Sequence, residues 1–94
     1  MDKPLAPSEQ KTLRREGRGL DVSVRVGKAG MTDALTRQVA GILEHHPLVK
    51  VRLPAADKPQ RAQMAEELAA KTGAALIDLV GRMVVLYKPA PRDS

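Results

Sequence analysis

Two glycines three residues apart, Gly27 and Gly30, enclose Lys28 and Ala29 in the stretch best suited to bind a ligand. Glycines let the backbone turn sharply, and they leave no side chain to obstruct a ligand that approaches backbone N–H groups. The residues that follow predict a helix beginning after Thr32, and the positive end of its dipole would face the same place. The sequence therefore predicts a site for an anion such as a phosphate, held by backbone amides, the helix dipole and the Lys28 ammonium.

The glycine pattern is weak evidence when taken alone. In a chain with seven glycines among 94 residues, two glycines three apart arise by chance about half of the time. The net charge supports it: 16 basic against 11 acidic residues give +5 and a pI near 10.0, as expected for a protein that binds a polyanion such as nucleic acid. An alternative is that the basic excess only aids solubility.

Residues that could support catalysis or bind a metal give poorer patterns. Neighbouring residues on a helix point about 100 degrees apart, so His45 and His46 cannot readily chelate one metal ion, and a helix C-terminus explains them better. The chain has no cysteine, which excludes disulfides, thiolate catalysis and Cys-ligated zinc. No nucleophile elbow and no His-Glu-x-x-His pattern is present. We therefore predict no enzymatic activity, cofactor, metal or small-molecule substrate, with a small hydrolase or metal protein using the two histidines as one alternative.

The apolar pattern predicts the elements that position the glycine loop. Valines alternate with polar residues over 22–26, which indicates a half-buried strand directly before the loop. Thr32 as N-cap and Pro47 as a stop predict a helix after the loop that finishes at 44–46. Alternation over 48–53 predicts a second strand, and the strand-helix-strand order makes the two strands parallel.

A weakly anchored helix is predicted before the first strand. Ser8 is a candidate N-cap for a helix over 9–18, which Gly17 and Gly19 would end. Leu13 is the only strongly apolar residue of this helix. Its basic residues recur at spacings of three and four and form one face, which is equally compatible with solvent and with nucleic acid. That face consists of Lys11, Arg14, Arg15 and Arg18.

The C-terminal half predicts a third helix and a hairpin. Asp57 is a candidate cap for a helix that ends at Gly73. Two apolar stretches over 74–80 and 82–87 follow, and Gly81 between them leaves room only for a tight reversal, which makes the strands antiparallel. The whole chain contains a single aromatic residue, which argues against a platform that stacks single-stranded bases. Phosphates and RNA shape remain as the features to be recognised.

Some finer expectations follow from single residues and from the ends of the chain. Gly41 in the second helix suggests close packing against the sheet. Residues 90–94 lack an apolar anchor and should fray, leaving one domain over 1–89. The start of the chain has no apolar signal segment, and no stretch approaches the length that spans a bilayer, so we expect a soluble cytoplasmic protein without a membrane partner. The cations of the two predicted strands could contact a folded RNA, or they could form the solvent-exposed faces of these strands. They are Arg25, Lys50 and Arg52.

The order of these motifs resembles the CRM domain, the YhbY-like RNA-binding family of ribosome maturation and chloroplast splicing factors. The matching stretches are VGKAG at 26–30, LEHH at 43–46, LVKV at 48–51, MAEELA at 64–69, TGA at 72–74 and VGRMVVLYK at 80–88. The first helix departs from the family pattern at Gly17-Arg18-Gly19, and Pro47 is also unusual. Together the matches span residues 5–89, so their order is far more specific than any one of them.

The resemblance implies an α/β domain of the two-layer α+β type, similar to the C-terminal domain of a bacterial initiation factor. Its order would be α-β-α-β-α-β-β, with a mixed four-stranded sheet packed on helices and a KH-like glycine loop. Because stand-alone bacterial members are associated with precursors of the large ribosomal subunit, the implied function is assistance in its assembly by a monomer that binds ribosomal RNA. A protein-interaction module with incidental basic charge is the alternative. The candidate RNA-binding residues are Gly27, Lys28, Ala29 and Gly30, with Arg14, Arg15, Arg25 and Lys50 around them.

Overall fold

The computed structural model describes residues 6–27 and 30–89, and within them three helices and four strands form in the predicted order. Lys28 and Ala29 of the glycine loop and the predicted tail over 90–94 lie outside the described residues. The elements are α1 (Pro7–Gly19), β1 (Val24–Arg25), α2 (Asp33–Leu43), β2 (Leu48–Arg52), α3 (Lys58–Thr72), β3 (Ala75–Val80) and β4 (Met83–Tyr87). The α/β fold class is confirmed.

The four strands form one mixed sheet in the order β1-β2-β4-β3. β1 and β2 are parallel and β3 and β4 are antiparallel, as predicted from their connections. β4 also runs antiparallel to β2, a pairing that the sequence did not predict. The last strand of the sequence is therefore inserted into the middle of the sheet. β1, β2 and β3 all end where β4 begins, and this edge, which we call the loop end of the sheet, also holds the start of the glycine loop.

The core lies between one face of the sheet and the helices α2 and α3. β2 alternates as predicted, with Val49 and Val51 fully buried and their neighbours half-buried. Val84 and Leu86 of β4 are fully buried on the same face as these valines. The helices bury Leu35, Val39, Leu43, Ala65 and Leu68 against them. In the described part of the chain, no helix is long and apolar enough to cross a membrane.

Helix α1 lies on the opposite face of the sheet. Val85 alternates with the core-facing Val84 and Leu86, yet it is only 4% exposed, because Gly17 of α1 packs directly on it. A Cβ built on Gly17 would stand 2.7 Å from Val85 Cγ1, so only a glycine allows the helix to come this close. The predicted pair of layers thus describes the sheet with α2 and α3, and α1 adds a partial layer on the other side.

The start predicted for α1 is wrong, and so is the role predicted for Gly17. The N-cap is Ala6, without a side-chain hydrogen bond, and Pro7 occupies the first turn, where its fixed φ suits a helix start. Ser8 therefore lies inside the helix and does not cap it. The helix ends at Gly19, as predicted, but Gly17 does not end it, because Gly17 lies within the helix and contacts Val85 there.

Two other elements are shorter than predicted. β1 spans only Val24–Arg25, not 22–26, although the Ser23 and Val26 N–H groups on either side of it also donate to carbonyls of β2. α2 ends at Leu43, and residues 44–46 form a turn instead of its last residues. The expected close packing at Gly41 is also wrong, since a Cβ there would meet no atom within 4 Å.

The predicted caps of α2 and α3 are confirmed. The Thr32 hydroxyl accepts a hydrogen bond from the Leu35 N–H at 3.1 Å, and the Asp57 carboxylate accepts one from the Gln60 N–H at 2.9 Å. Gly73 ends α3 with φ of 71°, in the left-handed region.

Candidate nucleic-acid interface

The two glycines that enclose the glycine loop lie at the loop end of the sheet. The Gly30 N–H donates to the Gly27 carbonyl at 3.0 Å, which holds the two ends of the loop together, and Gly30 has φ of 77°. A Cβ built on Gly27 or Gly30 would meet no atom within 4 Å, so a ligand can reach the backbone. Because the turn itself uses the Gly30 N–H, this group is not available to an anion. The predicted amide site must therefore rely on other donors.

The N-terminus of α2 supplies such donors directly after the loop. The Thr32 hydroxyl satisfies the Leu35 N–H, while the first N–H groups of the helix precede any acceptor within it and make this end partly positive. Asp33, in the first turn and exposed, is a negative charge at the same place. The loop and helix thus favour an anion, and the Asp33 carboxylate opposes it.

Three strand cations meet on the α1 face of the sheet. The parallel register places Arg25 beside Arg52, on strands about 4.8 Å apart, and Lys50 lies two residues away along β2 on the same face. Arg18 of α1 lines the same cleft as Lys50. We call Arg18, Arg25, Lys50 and Arg52 the basic surface. Since Gly27 follows Arg25 by two residues, the basic surface and the glycine loop are adjacent.

Among the described residues, no cation of the basic surface forms an ion pair. Across residues 6–27 and 30–89 the structure records a single ion pair, Lys71 with Glu67 at 3.4 Å on α3, far along the chain from these cations. Arg25 is exposed and Arg52 half-buried. Lys50 is half-buried and its ammonium donates to the Leu20 carbonyl at 3.4 Å, so it also holds the segment after α1 to the sheet. The surface is therefore a concentration of positive charge, although the Asp78 carboxylate shares a cleft with Arg18 and Lys50.

The two candidate arginines of α1 are exposed but differ in where they face. Measured around the helix from Gly17, which contacts the sheet, Arg14 lies roughly 60° away, Arg18 roughly 100° and Arg15 roughly 160°. Arg14, whose Nε donates to the Gln10 carbonyl at 3.4 Å, can extend the basic surface. Arg15 faces away from the sheet, so the structure does not bring it together with Arg25 and Lys50.

Sequence reasoning named Arg18 and Arg52 as cations that could contact RNA but did not include them among the candidate site residues, and it did not consider Arg82. Arg82 lies in the two-residue turn between β3 and β4, where its Nε donates to the Leu53 carbonyl at 2.9 Å and ties the hairpin to the end of β2. Arg82 reaches the loop end of the sheet because β4 is inserted beside β2, and no local sequence pattern predicts that insertion. Arg52 could have been included from the sequence alone, because the alternation in β2 places it on the same face as Lys50.

The histidine alternative receives no geometric support. His45 and His46 are both exposed in the turn after α2. In the part of the chain that the structure describes, no three His, Cys, Asp or Glu side chains are grouped closely enough to hold a metal ion.

Comparisons with known proteins agree with this architecture. The sequence model of the CRS1 / YhbY (CRM) domain matches residues 5–88. An RNA-binding protein of Haemophilus influenzae is 27% identical over 86 residues, which cover 92% of this chain and 87% of that protein. The probable RNA-binding protein YqeI of Bacillus subtilis is 30% identical over 89 residues, or 95% of this chain and 93% of that protein.

A solved structure has the same fold. The solution structure of a hypothetical protein from Staphylococcus aureus superposes with a TM-score of 0.83 and covers 97% of this chain and 95% of its own, at 24% sequence identity. The likeness at that identity concerns the fold alone. The family match, in contrast, extends over nearly the whole sequence, and the chain belongs to the CRS1/YhbY (CRM) domain family.

Proposed function

We propose that this protein binds structured RNA through the phosphate backbone, using the glycine loop over 27–30 and the adjacent basic surface. We further propose that the RNA is ribosomal, and that the protein acts as a cytoplasmic monomer in assembly of the large ribosomal subunit. The names of its relatives support RNA as the partner. The proposal includes no catalytic step.

The observation behind this proposal is the position of Arg25, Lys50 and Arg52. These cations lie side by side on one sheet face, next to an unobstructed turn and the positive end of α2. Such an arrangement binds phosphates along a backbone and reads no base directly, so shape and charge would determine the partner.

Salt dependence follows from this mechanism. If four cations of the basic surface each neutralise one phosphate, the logarithm of the binding constant falls with the logarithm of salt concentration with a slope of about −3.6. Between 50 and 200 mM salt the affinity should then drop by about 150-fold. A protein-interaction module with incidental charge would instead bind its partner with little dependence on salt.

A matched pair of substitutions at Gly27 tests the loop. Gly27 is exposed, its φ is not positive, and a side chain there meets no atom within 4 Å, so Gly27→Asp and Gly27→Asn should both fold. The two side chains have nearly the same shape and differ in charge. We expect Gly27→Asp to weaken binding of a structured ribosomal RNA fragment at least tenfold more than Gly27→Asn, measured by titration at fixed salt. Equal affinity of the two variants would remove the loop from the interface.

Co-sedimentation tests the ribosomal part of the proposal. In low-salt lysate, the wild-type protein should peak with precursors of the large subunit, and Gly27→Asp should stay at the top of the gradient. If the wild type also stays at the top while still binding RNA fragments, the assembly role is wrong and RNA binding alone remains.

A further inference from the structure

A cleft of about 280 Å³ opens between the C-terminal turn of α1 and the sheet. Its floor is apolar, formed by Val80, Met83 and Val85. Val80 is 58% exposed, more than any other large apolar side chain among the described residues. A single exposed apolar residue needs no explanation, but one that lines a concave cleft provides surface for a ligand.

The charged groups around the cleft limit what can enter it. Arg18 and Lys50 line it together with the carboxylate of Asp78. Asp78 is half-buried, and its Oδ1 accepts a hydrogen bond from the Leu79 N–H at 3.0 Å, which fixes the carboxylate at the cleft wall. A carboxylate only accepts hydrogen bonds, and both of its oxygens keep further acceptor capacity. The cleft therefore suits a ligand with a negatively charged part for the cations and an uncharged flat part with N–H donors for Asp78.

We propose that the cleft receives one unpaired nucleotide of the bound RNA, with its base on the apolar floor and its phosphate at Arg18 and Lys50. This inference rests on the proposed function, since Lys50 belongs to the basic surface beside the glycine loop. It adds recognition of a base to a mechanism that otherwise reads only phosphates and shape. The base contacts aliphatic side chains, so the site needs no aromatic platform.

Asp78 makes the cleft selective for guanine. The Watson–Crick edge of guanine presents two adjacent N–H donors, which a carboxylate can accept together. Adenine and cytosine offer one amino group, and uracil offers a single N–H flanked by two carbonyl oxygens that repel a carboxylate. Because one bidentate contact accounts for discrimination of about tenfold or more, guanine should be preferred to uracil by that factor.

Nucleotide titrations followed by NMR test this site directly. The four nucleoside monophosphates and inorganic phosphate are added separately to ¹⁵N-labelled protein, and backbone amide shifts are followed. GMP should shift the amides of Gly17, Asp78 and Met83 and bind about tenfold more tightly than UMP. Inorganic phosphate alone should leave the Met83 amide unshifted. Equal binding of all four nucleotides, or the absence of amide shifts in the cleft, would overturn the inference. In the second case, a side chain of a partner protein would be the better candidate for the occupant of the cleft.

Two matched pairs of variants separate the cleft from general electrostatics. Asp78→Asn and the exposed Asp21→Asn each remove one negative charge, but only Asp78→Asn should abolish the preference for GMP over UMP. Val80→Ser should weaken the binding of every nucleotide several-fold. Leu76→Ser removes an exposed apolar side chain of the same strand outside the cleft, and it should leave the affinity for every nucleotide unchanged.

The RNA titration, run in parallel, distinguishes the two proposals. If RNA binding depends on salt and on Gly27 while Asp78→Asn keeps the GMP preference, the cleft inference is wrong and the proposed function stands. If the protein binds no RNA at low salt, both are wrong.

Discussion

Replacing Gly17 with alanine should destabilise the protein, although alanine is the better helix former. In an ordinary helix interior the change would stabilise by about 1 kcal/mol. Here the new Cβ would stand 2.7 and 2.8 Å from the two γ carbons of Val85 and 3.3 Å from its Cβ. Val85 is β-branched and buried, so it cannot rotate away. Overpacking of this kind costs about 1 to 3 kcal/mol, which leaves a net loss of about 1 kcal/mol.

The neighbouring Gly19 provides the matched control, because a Cβ there meets no atom within 4 Å. Gly19→Ala should therefore stabilise the protein by about 0.5 kcal/mol, the lower end of the usual gain near a helix terminus. Urea unfolding followed by far-ultraviolet circular dichroism measures both values, provided that the slopes of the transitions agree.

A Val85→Ala background gives the second control for the Gly17 contact. With the γ carbons removed, Gly17→Ala should become stabilising by up to about 1 kcal/mol. The packing of α1 on β4 would be refuted if Gly17→Ala raised stability as much as Gly19→Ala in the wild-type background.

The remaining predictions concern α2 and α3. Asp33→Asn should raise RNA affinity about two- to fivefold, because it removes a negative charge beside the loop, while lowering the unfolding temperature slightly through the loss of a favourable helix-dipole interaction. An unchanged affinity in the titration would place the RNA away from the start of α2. Gly73→Ala should cost about 1 to 2 kcal/mol in chemical denaturation, since φ of 71° is unfavourable for any side chain. Gly41→Ala should instead stabilise by up to about 1 kcal/mol, and the same sign for both glycines would contradict their assigned conformations.

Features determined by neighbouring residues could be predicted from the sequence. Asp57 and Gly73 act on the backbone of α3 itself, and the bounds predicted for that helix agree with the structure. The alternation in β2 identified its buried face, because one face of the strand packs on the core over its whole length. The parallel β1–β2 pair followed from the helix between the two strands.

Features determined by distant contacts could not be predicted. The helical state of Gly17 depends on Val85, which follows it by 68 positions, and local sequence shows only a residue that commonly ends helices. β1 pairs in register with only the last two of the five residues of β2, and the local sequence does not show how far the two strands overlap. For the same reason the basic residues were identified individually, while only the sheet register shows that Arg25 adjoins Arg52 and that Arg15 faces elsewhere.

The central position of β4 makes completion of the sheet depend on the last of its four strands in chain order. β2 and β3 have no contact as neighbouring strands, and each reaches the other only through Met83–Tyr87. While the chain emerges from its N-terminus, β1 and β2 can pair and be covered by α2 and α3, but the other edge of β2 stays unpaired until β4 arrives. A nascent or truncated chain that stops before Met83 is therefore an incomplete sheet with two unpaired edges, a target for chaperones and proteases and not a smaller version of the folded protein.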